Sequence, residues 1–325
     1  MKVCIYGAGA IGGLIGARLA AAGECAVSAV ARGETLYALR KHGWRLQQHG
    51  ALLRAPVVAS ERPSELGTQD LIILAVKGPA MQTVANQIAP LLGPQTIVVP
   101  AMNGVPWWFN VGVAALETPL DSVDPGGRIA AAIPFQNVLG CVVHVSAHSR
   151  EAGVVEHQMG EGLIIGEPLG ESTQRVQRLA GLLRGAGFEI TVSENVRRDV
   201  WYKLWGNMTM NPISALTGAS SDRVLDDPLV RNFCAAAMRE AAQIGARIGC
   251  AIAQTPEDRF AVTRKLGSFT TSMLRDVETG RIIELDALVG AVREIGLRVN
   301  TPTPNIDALF GLTRLFGRIR GVYPE

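Results

Sequence analysis

Residues 2–23 read KVCIYGAGAIGGLIGARLAAAG, and this stretch decides the fold. KVCIYG (2–7) predicts a short buried strand. GAGAIGGLIGARLAAAG (7–23) predicts a glycine turn that runs into a helix ending at Gly23. The glycines fall as Gly7-x-Gly9-x-x-Gly12, with Ala8, Ala10 and Ile11 between them. Alone, that spacing says little. Behind a first strand and at the head of a helix it predicts a dinucleotide-binding turn. Gly7 allows the tight turn, Gly9 lets backbone approach a pyrophosphate, and Gly12 permits close helix–strand packing. The helix N-terminus supplies a positive dipole for the phosphates.

The pattern continues outward. AVSAVAR (26–32) reads as a second strand, GETLYALRKHG (33–43) as a helix, and 44–60 as polar and strand-prone. DLIILAVK (70–77) is a strongly apolar strand. PAMQTVANQIAPLLG (79–93) is a helix with Pro79 near its start, and TIVVPAMNG (96–104) a further buried strand. Alternating β and α segments of this length predict a doubly wound parallel sheet of Rossmann type. Residues 105–135 break the rhythm with Trp107, Trp108, several prolines and a Gly-Gly pair. Residues 139–167 read as successive β segments with turns at EAG (151–153) and GEG (160–162). A helix over 172–187 and a strand over 188–194 follow. From about residue 195 only helical periodicity remains. The expectation is an α/β domain over 1–194 and an all-α domain over 195–325, with the ligand site between them.

Composition narrows the function. The chain has 325 residues, 48% hydrophobic and 18% charged, which suits a globular protein with a sizeable core. A net charge of +2 argues against nucleic acid or an anionic membrane surface as partner. Cys4, Cys25, Cys141, Cys234 and Cys250 are odd in number and scattered, as expected for reduced thiols rather than a disulfide framework or zinc site. No signal peptide and no membrane-length apolar run are evident, so a cytoplasmic protein is expected. A homodimer is left open.

Four features carry chemistry. The second strand ends on Arg32, where an acid would hold the 2′-hydroxyl of NAD; an arginine there suits the 2′-phosphate of NADP. Glu34 lies close enough to keep NAD open. Lys77 and Asn103 end the third and fourth apolar strands, and carboxyl ends of parallel strands face the ligand crevice. In DVWYKLWGNMTMNPISALTG (199–218), Lys203, Asn207 and Asn211 recur every four residues, placing an ammonium and two amides on one helix face. The bland alternative is a solvated face. The sharper reading is a polar floor for a small anion, with the tryptophans and methionines as the packed side. An ammonium there can stabilise charge growing on a carbonyl oxygen and hand over a proton. Desolvation in this apolar stretch should lower the pKa of Lys203. Asn211-Pro212 should end or kink the helix.

Taken together, GAGAIG (7–12), Arg32, VK (76–77), NG (103–104), KLWGNMTMNP (203–212) and SMLRDVETGRIIE (272–284) resemble the ketopantoate reductases (2-dehydropantoate 2-reductases), among the 6-phosphogluconate-dehydrogenase-like oxidoreductases. The resemblance spans almost the whole chain. It implies NADP(H) as cofactor and reduction of ketopantoate to pantoate, a step towards pantothenate and coenzyme A. By position it implies Lys203 as proton donor and Asn207 and Asn211 as substrate ligands. It implies Ser272 at the substrate carboxylate and Glu284 at the nicotinamide end. It also implies that Asn103 is shared between cofactor and substrate and that Lys77 is a cofactor contact.

The chain departs from that pattern at Met102, where glutamine is usual, and at Ser220 and Ser221, where an asparagine is frequent. The 105–135 segment is longer than the family's norm. These differences leave open a related reductase of another small 2-oxo or 3-hydroxy acid. A redox sensor that binds NADP(H) without turnover is the alternative of another class, and Lys203 argues against it. Trp107 and Trp108 could form a lid over substrate or pack into the scaffold. No metal site is expected: His144 and His148 lack the context of a zinc motif. Asp276 and Glu278 read as a solvated helix face, and LTRLFGRIRG (312–321) as a basic amphipathic surface helix.

Overall fold

A computed structural model describes residues 1–325. Contacts divide the chain into two units, Met1–Met102 with Arg128–Asp199 and Asn103–Gly127 with Val200–Glu325. The sequence reading draws one boundary, after Glu194; the chain instead leaves the first unit at Met102, returns at Arg128 and leaves again after Asp199.

The first unit begins with β1 (Lys2–Tyr6), α1 (Ala10–Ala22), β2 (Ala26–Val30), α2 (Gly33–His42), β3 (Trp44–Gln48), β4 (Ala51–Ala55) and β5 (Val58–Ser60). It continues with β6 (Leu71–Leu74), α3 (Met81–Gln87), β7 (Ile97–Pro100), α4 (Arg128–Ala132), β8 (Gly140–Glu151), β9 (Val154–Gly166), α5 (Gln174–Gly185) and β10 (Glu189–Val192). Strands β5-β2-β1-β6-β7 form one sheet in that order, every pair parallel. This is the doubly wound order, and its direction reverses between β1 and β6. A second sheet, β10-β9-β3-β4 with β8 antiparallel to β9, forms a separate layer that the single-sheet expectation lacks.

The second sheet explains the composition of α1. Every residue from Gly12 to Leu19 is buried, so no solvent face exists and no amphipathic period is needed. A Cβ on Gly16 would lie 2.6 Å from the Trp44 ring and 3.0 Å from Ile5, and one on Gly13 2.6 Å from Val155. Ile5 belongs to the first sheet; Trp44 and Val155 belong to the second. The helix is packed from both sides, and small residues let both sheets approach. Its end is as read: Gly23 takes φ +74°, a left-handed stop.

Two boundaries differ from the sequence reading. The helix expected over 79–93 stops at Gln87, and Pro90, which lacks an N–H, sits in the separate 3₁₀ turn Ala89–Leu91. GEG is not a turn. Gly160 takes φ +76° within β9, opposite a register shift between His144 and Ser146. A Cβ there would lie 2.2 Å from the His144 carbonyl oxygen, so the glycine forms a bulge in one long hairpin.

The second unit is helical: most of α6 (Val196–Thr217), then α7 (Ser221–Asp226), α8 (Pro228–Arg247), α9 (Pro256–Lys265), α10 (Ser272–Glu278), α11 (Ala291–Arg298) and α12 (Pro304–Ile319). A π-turn over Asp286–Gly290 leads into α11. The helix α6 does not end at Asn211. It runs through Pro212 to Thr217, and every residue from Met208 to Ala215 is buried, so packing outweighs one missing N–H.

Trp107 and Trp108 belong to this unit's core, 3% and 1% exposed. Phe109, between Trp108 and Trp201 in the ring contacts, stacks on Trp201 at 5.9 Å. Both tryptophans are scaffold; the lid reading does not hold. The rest of the segment is pinned where Glu294 accepts from the Asp121 and Ser122 N–H groups, and Arg298 donates to the Thr118 and Pro119 carbonyls. Asp276 is buried rather than solvated, 3.6 Å from Arg281, while Glu278 is exposed. The helix α12 is a surface helix, with Leu312, Leu315 and Ile319 exposed. No helix is long and apolar enough to cross a membrane, and all five cysteines are unbridged.

Candidate active site

In the first unit the glycine turn is shaped by contacts that a side chain would break. Gly7 takes φ +98°, and a Cβ on it would lie 2.7 Å from Val76 and 2.9 Å from the Ala75 oxygen. A Cβ on Gly12 would lie 2.0 Å from the Gly7 oxygen. Gly9 differs: it caps α1 without a side-chain bond, and the space where its Cβ would project is open. The helix N-terminus is thus presented through bare backbone, as a phosphate requires. Ala10 and Ile11 form the first turn of that helix.

A cleft of about 260 Å³ lies against this turn, lined by Gly7, Ala8 and Gly9, by Val30 to Arg32 at the end of β2, and by Thr35, Val76 and Gln87. The Tyr6 hydroxyl donates to Gln87 Oε1 at 3.1 Å, and burial pushes the phenol up to about 12, so it stays neutral. Arg32 is exposed at the mouth and forms no ion pair. Glu34 does not line the cleft; Glu61 does. Glu61 directly follows β5, a short strand that local sequence does not mark as part of the parallel sheet, whose carboxyl ends face ligand. Lys77 is half-buried and heads the short turn Gly78–Ala80, and Val76 rather than Lys77 lines the cleft.

In the second unit, Lys203 Nζ donates to Asn103 Oδ1 at 2.8 Å, across 100 positions of sequence. Asn103 is held from behind. Gly104 takes φ +84° and lies so close to Ala287 that a Cβ would be 2.6 Å from its oxygen, while the Val105 N–H donates to that oxygen at 2.8 Å. The backbone that receives this contact starts three residues after Glu284, which is itself half-buried.

Lys203, Asn207 and Asn211 share one face of α6 without interruption. Lys203 and Asn207 are half-buried, and Asn211 is 6% exposed. Neither asparagine amide hydrogen-bonds within the protein. Ser272 is the exposed first residue of α10, capped by Thr271, and its hydroxyl makes no internal hydrogen bond. An ammonium beside amides that keep donors and acceptors free can hold a small oxygen-rich molecule and protonate it.

Sequence reasoning missed Arg259 on α9, whose guanidinium lies against Gly206 of α6. The available signal was Gly206 itself, since a glycine inside a helix costs about 1 kcal/mol and marks a close approach. It also missed the convergence of His49, His157 and Glu161, whose ligand atoms lie within 4.8 Å of one another. Arg18 already takes both oxygens of that carboxylate.

Comparison with known proteins identifies the family of the chain. Residues 3–170 match the family described as ketopantoate reductase PanE/ApbA, and residues 195–316 match its C-terminal counterpart. A 2-dehydropantoate 2-reductase of Mesorhizobium japonicum is 43% identical over 325 residues, covering 99% of this chain and all of that one. The crystal structure of a Ralstonia solanacearum protein assigned to the ketopantoate reductases superimposes with a TM-score of 0.95 at 55% identity, covering 99% of each chain. A PanE/ApbA family ketopantoate reductase of Ralstonia eutropha gives 0.84 at 25% identity, covering 98% of this chain and 99% of that one. Parallel sheet, glycine turn, helical second unit and nearly full-length similarity lead to one conclusion: the chain belongs to the ketopantoate reductase family and is an oxidoreductase acting on a CH–OH group.

Proposed function

We propose that the chain reduces a small 2-oxo acid with NADPH, and that the acid is 2-dehydropantoate, giving pantoate for pantothenate and coenzyme A synthesis. The hydrogen bond from Lys203 Nζ to Asn103 Oδ1 carries the reading, because it fixes an ammonium beside two amides that lack internal partners. The relatives named 2-dehydropantoate 2-reductase support the substrate.

The glycine turn fits a dinucleotide. Gly7 and Gly12 could not carry side chains, and Gly9 leaves backbone open to a ligand. Gly7 to Gly12 would hold the pyrophosphate, Arg32 the 2′-phosphate, and Lys77, Asn103 and Glu284 further parts of the cofactor. When bound, the reduced nicotinamide supplies the hydride. Lys203 holds a proton at Nζ, stabilises charge developing on the carbonyl oxygen, and delivers the proton there as general acid. Asn103 aims the ammonium. Asn207 and Asn211 orient the substrate's oxygens without adding charge, and Ser272 contributes a hydroxyl at its carboxylate.

Steady-state oxidation of NADPH against a panel of 2-oxo acids tests this. Ketopantoate should give the highest kcat/KM. A different oxo acid at the top would replace the substrate and keep the reaction. Tight NADPH binding with no turnover of any oxo acid would overturn the proposal in favour of a sensor.

A further inference from the structure

The helix α9 lays Arg259 along α6. A Cβ on Gly206 would fall 2.7 Å from Arg259 Nε and 2.9 Å from Nη2, so the guanidinium occupies the space that the missing side chain leaves. Its central carbon stands 5.3 Å from the ring centre of Tyr202, one turn earlier on α6. At about 100° per residue Gly206 and Tyr202 flank Lys203 on the side away from Asn207 and Asn211, so the cradle borders the ammonium end of the polar stripe.

The group is largely out of water, and burial pushes its pKa down from the usual arginine value. Nε is sealed from solvent and has no hydrogen-bond acceptor. No carboxylate pairs with it. Arginine cannot shed its charge to relieve this. A largely desolvated cation without counter-ion is costly; Nε is shut in against Gly206, and the two terminal nitrogens keep their donors for a ligand. The planar fork of donors matches a carboxylate.

We infer that Arg259 binds the carboxylate of the 2-oxo acid and thereby restricts the site to anionic substrates. This rests on the function proposed above. Ser272 then contributes a hydroxyl to the same group, and Arg259 supplies the charge that the amides of Asn207 and Asn211 lack.

The test uses two independent readouts on the wild type, R259M, R259K and G206A. The first is binding of oxalate, a carboxylate pair with no reducible ketone, followed by thermal shift and tryptophan fluorescence. Oxalate should raise the melting temperature of the wild type. R259M should weaken oxalate at least ~30-fold, R259K less, and G206A should also weaken it because its methyl displaces the guanidinium. The second is the ratio of kcat/KM for ketopantoate to that for uncharged ketopantolactone. It should fall about 10²-fold in R259M, mainly through KM for the acid. Should R259M fail to fold, R259K and G206A carry the same comparison. Unchanged oxalate binding in the folded variants overturns the inference. If the wild type reduces no oxo acid, the proposed function fails on its own, and loss of oxalate in R259M still supports an anion site.

Discussion

Arg18 and Arg259 are both withdrawn from water and both rest on an aromatic ring, Phe188 at 5.0 Å and Tyr202 at 5.3 Å. Their polar surroundings are opposite. Arg18 gives both terminal nitrogens to Glu161 and its Nε to Gln48 at 3.0 Å. Arg259 has no carboxylate and an unsatisfied Nε. A cation whose donors are filled from within belongs to the scaffold, because its charge has already been neutralised where the chain folded. A cation left with no counter-charge retains its binding capacity for something that arrives later. The contrast can be broken by finding that a filled cation matters to the reaction or that an open one does not.

Lys203 should give the largest effect. As general acid it contributes in the transition state, so Lys203→Ala should lower kcat by about 10²- to 10⁴-fold. NADPH affinity, measured by fluorescence titration, should change little. A variant with wild-type kcat would make the Lys203–Asn103 bond structural and place Lys203 with Arg18.

Arg18→Met should act on stability alone. Removing one partner of a buried pair strands the other charge, typically at 3–5 kcal/mol; Glu161 keeps some water, so about 3 kcal/mol is expected in urea unfolding. The pH dependence identifies the cause. The hydrogen bond from Arg18 holds the Glu161 carboxyl below its ordinary 4.5. A depressed carboxylate stabilises the fold above its unfolded pKa, and that contribution is lost as pH falls through the lower folded value. The gap between wild type and Arg18→Met should therefore be full at neutral pH and narrow in acid. A pH-independent gap would mean lost packing on Phe188 instead. A raised KM with unchanged stability would break the comparison.

The parts of this molecule that follow from local rules were readable without coordinates. GAGAIG after an apolar strand, the β-α alternation to residue 104, and the four-residue spacing of Lys203, Asn207 and Asn211 each rest on a period or a backbone requirement. What could not be read depends on distant partners. Leu46 pairs with Val155 in the second sheet, and nothing near either residue announces the other. Residues 103–127 join the second unit because Phe109 stacks on Trp201, 92 positions away by number. Asn211-Pro212 predicts an end or a kink from local preference, and burial on both flanks carries the helix past the proline to Thr217. The openness of Arg259 is the hardest kind of feature, an absent partner, and only Gly206 hinted at it.

Arg32 should give the smallest effect, because it is an open cation at the surface rather than inside. Water and salt screen an exposed guanidinium, so its preference for a phosphate over a hydroxyl is worth about one decade of affinity, ~1.4 kcal/mol. Wild type should bind NADPH about tenfold or more tightly than NADH, and Arg32→Ala should remove most of that difference without weakening NADH. The preference should shrink as ionic strength rises, unlike the effect of Arg18→Met. Glu61 lines the same cleft with the opposite charge. If Arg32 receives a phosphate there, Glu61→Gln should strengthen NADPH by a small factor and leave NADH unchanged, since a dianion feels the nearby carboxylate and a hydroxyl does not. Equal wild-type affinities for the two cofactors would sink the assignment of Arg32. A Glu61→Gln variant that weakened NADH selectively would assign the ribose to the carboxylate instead, leaving Arg32 an ordinary solvated side chain.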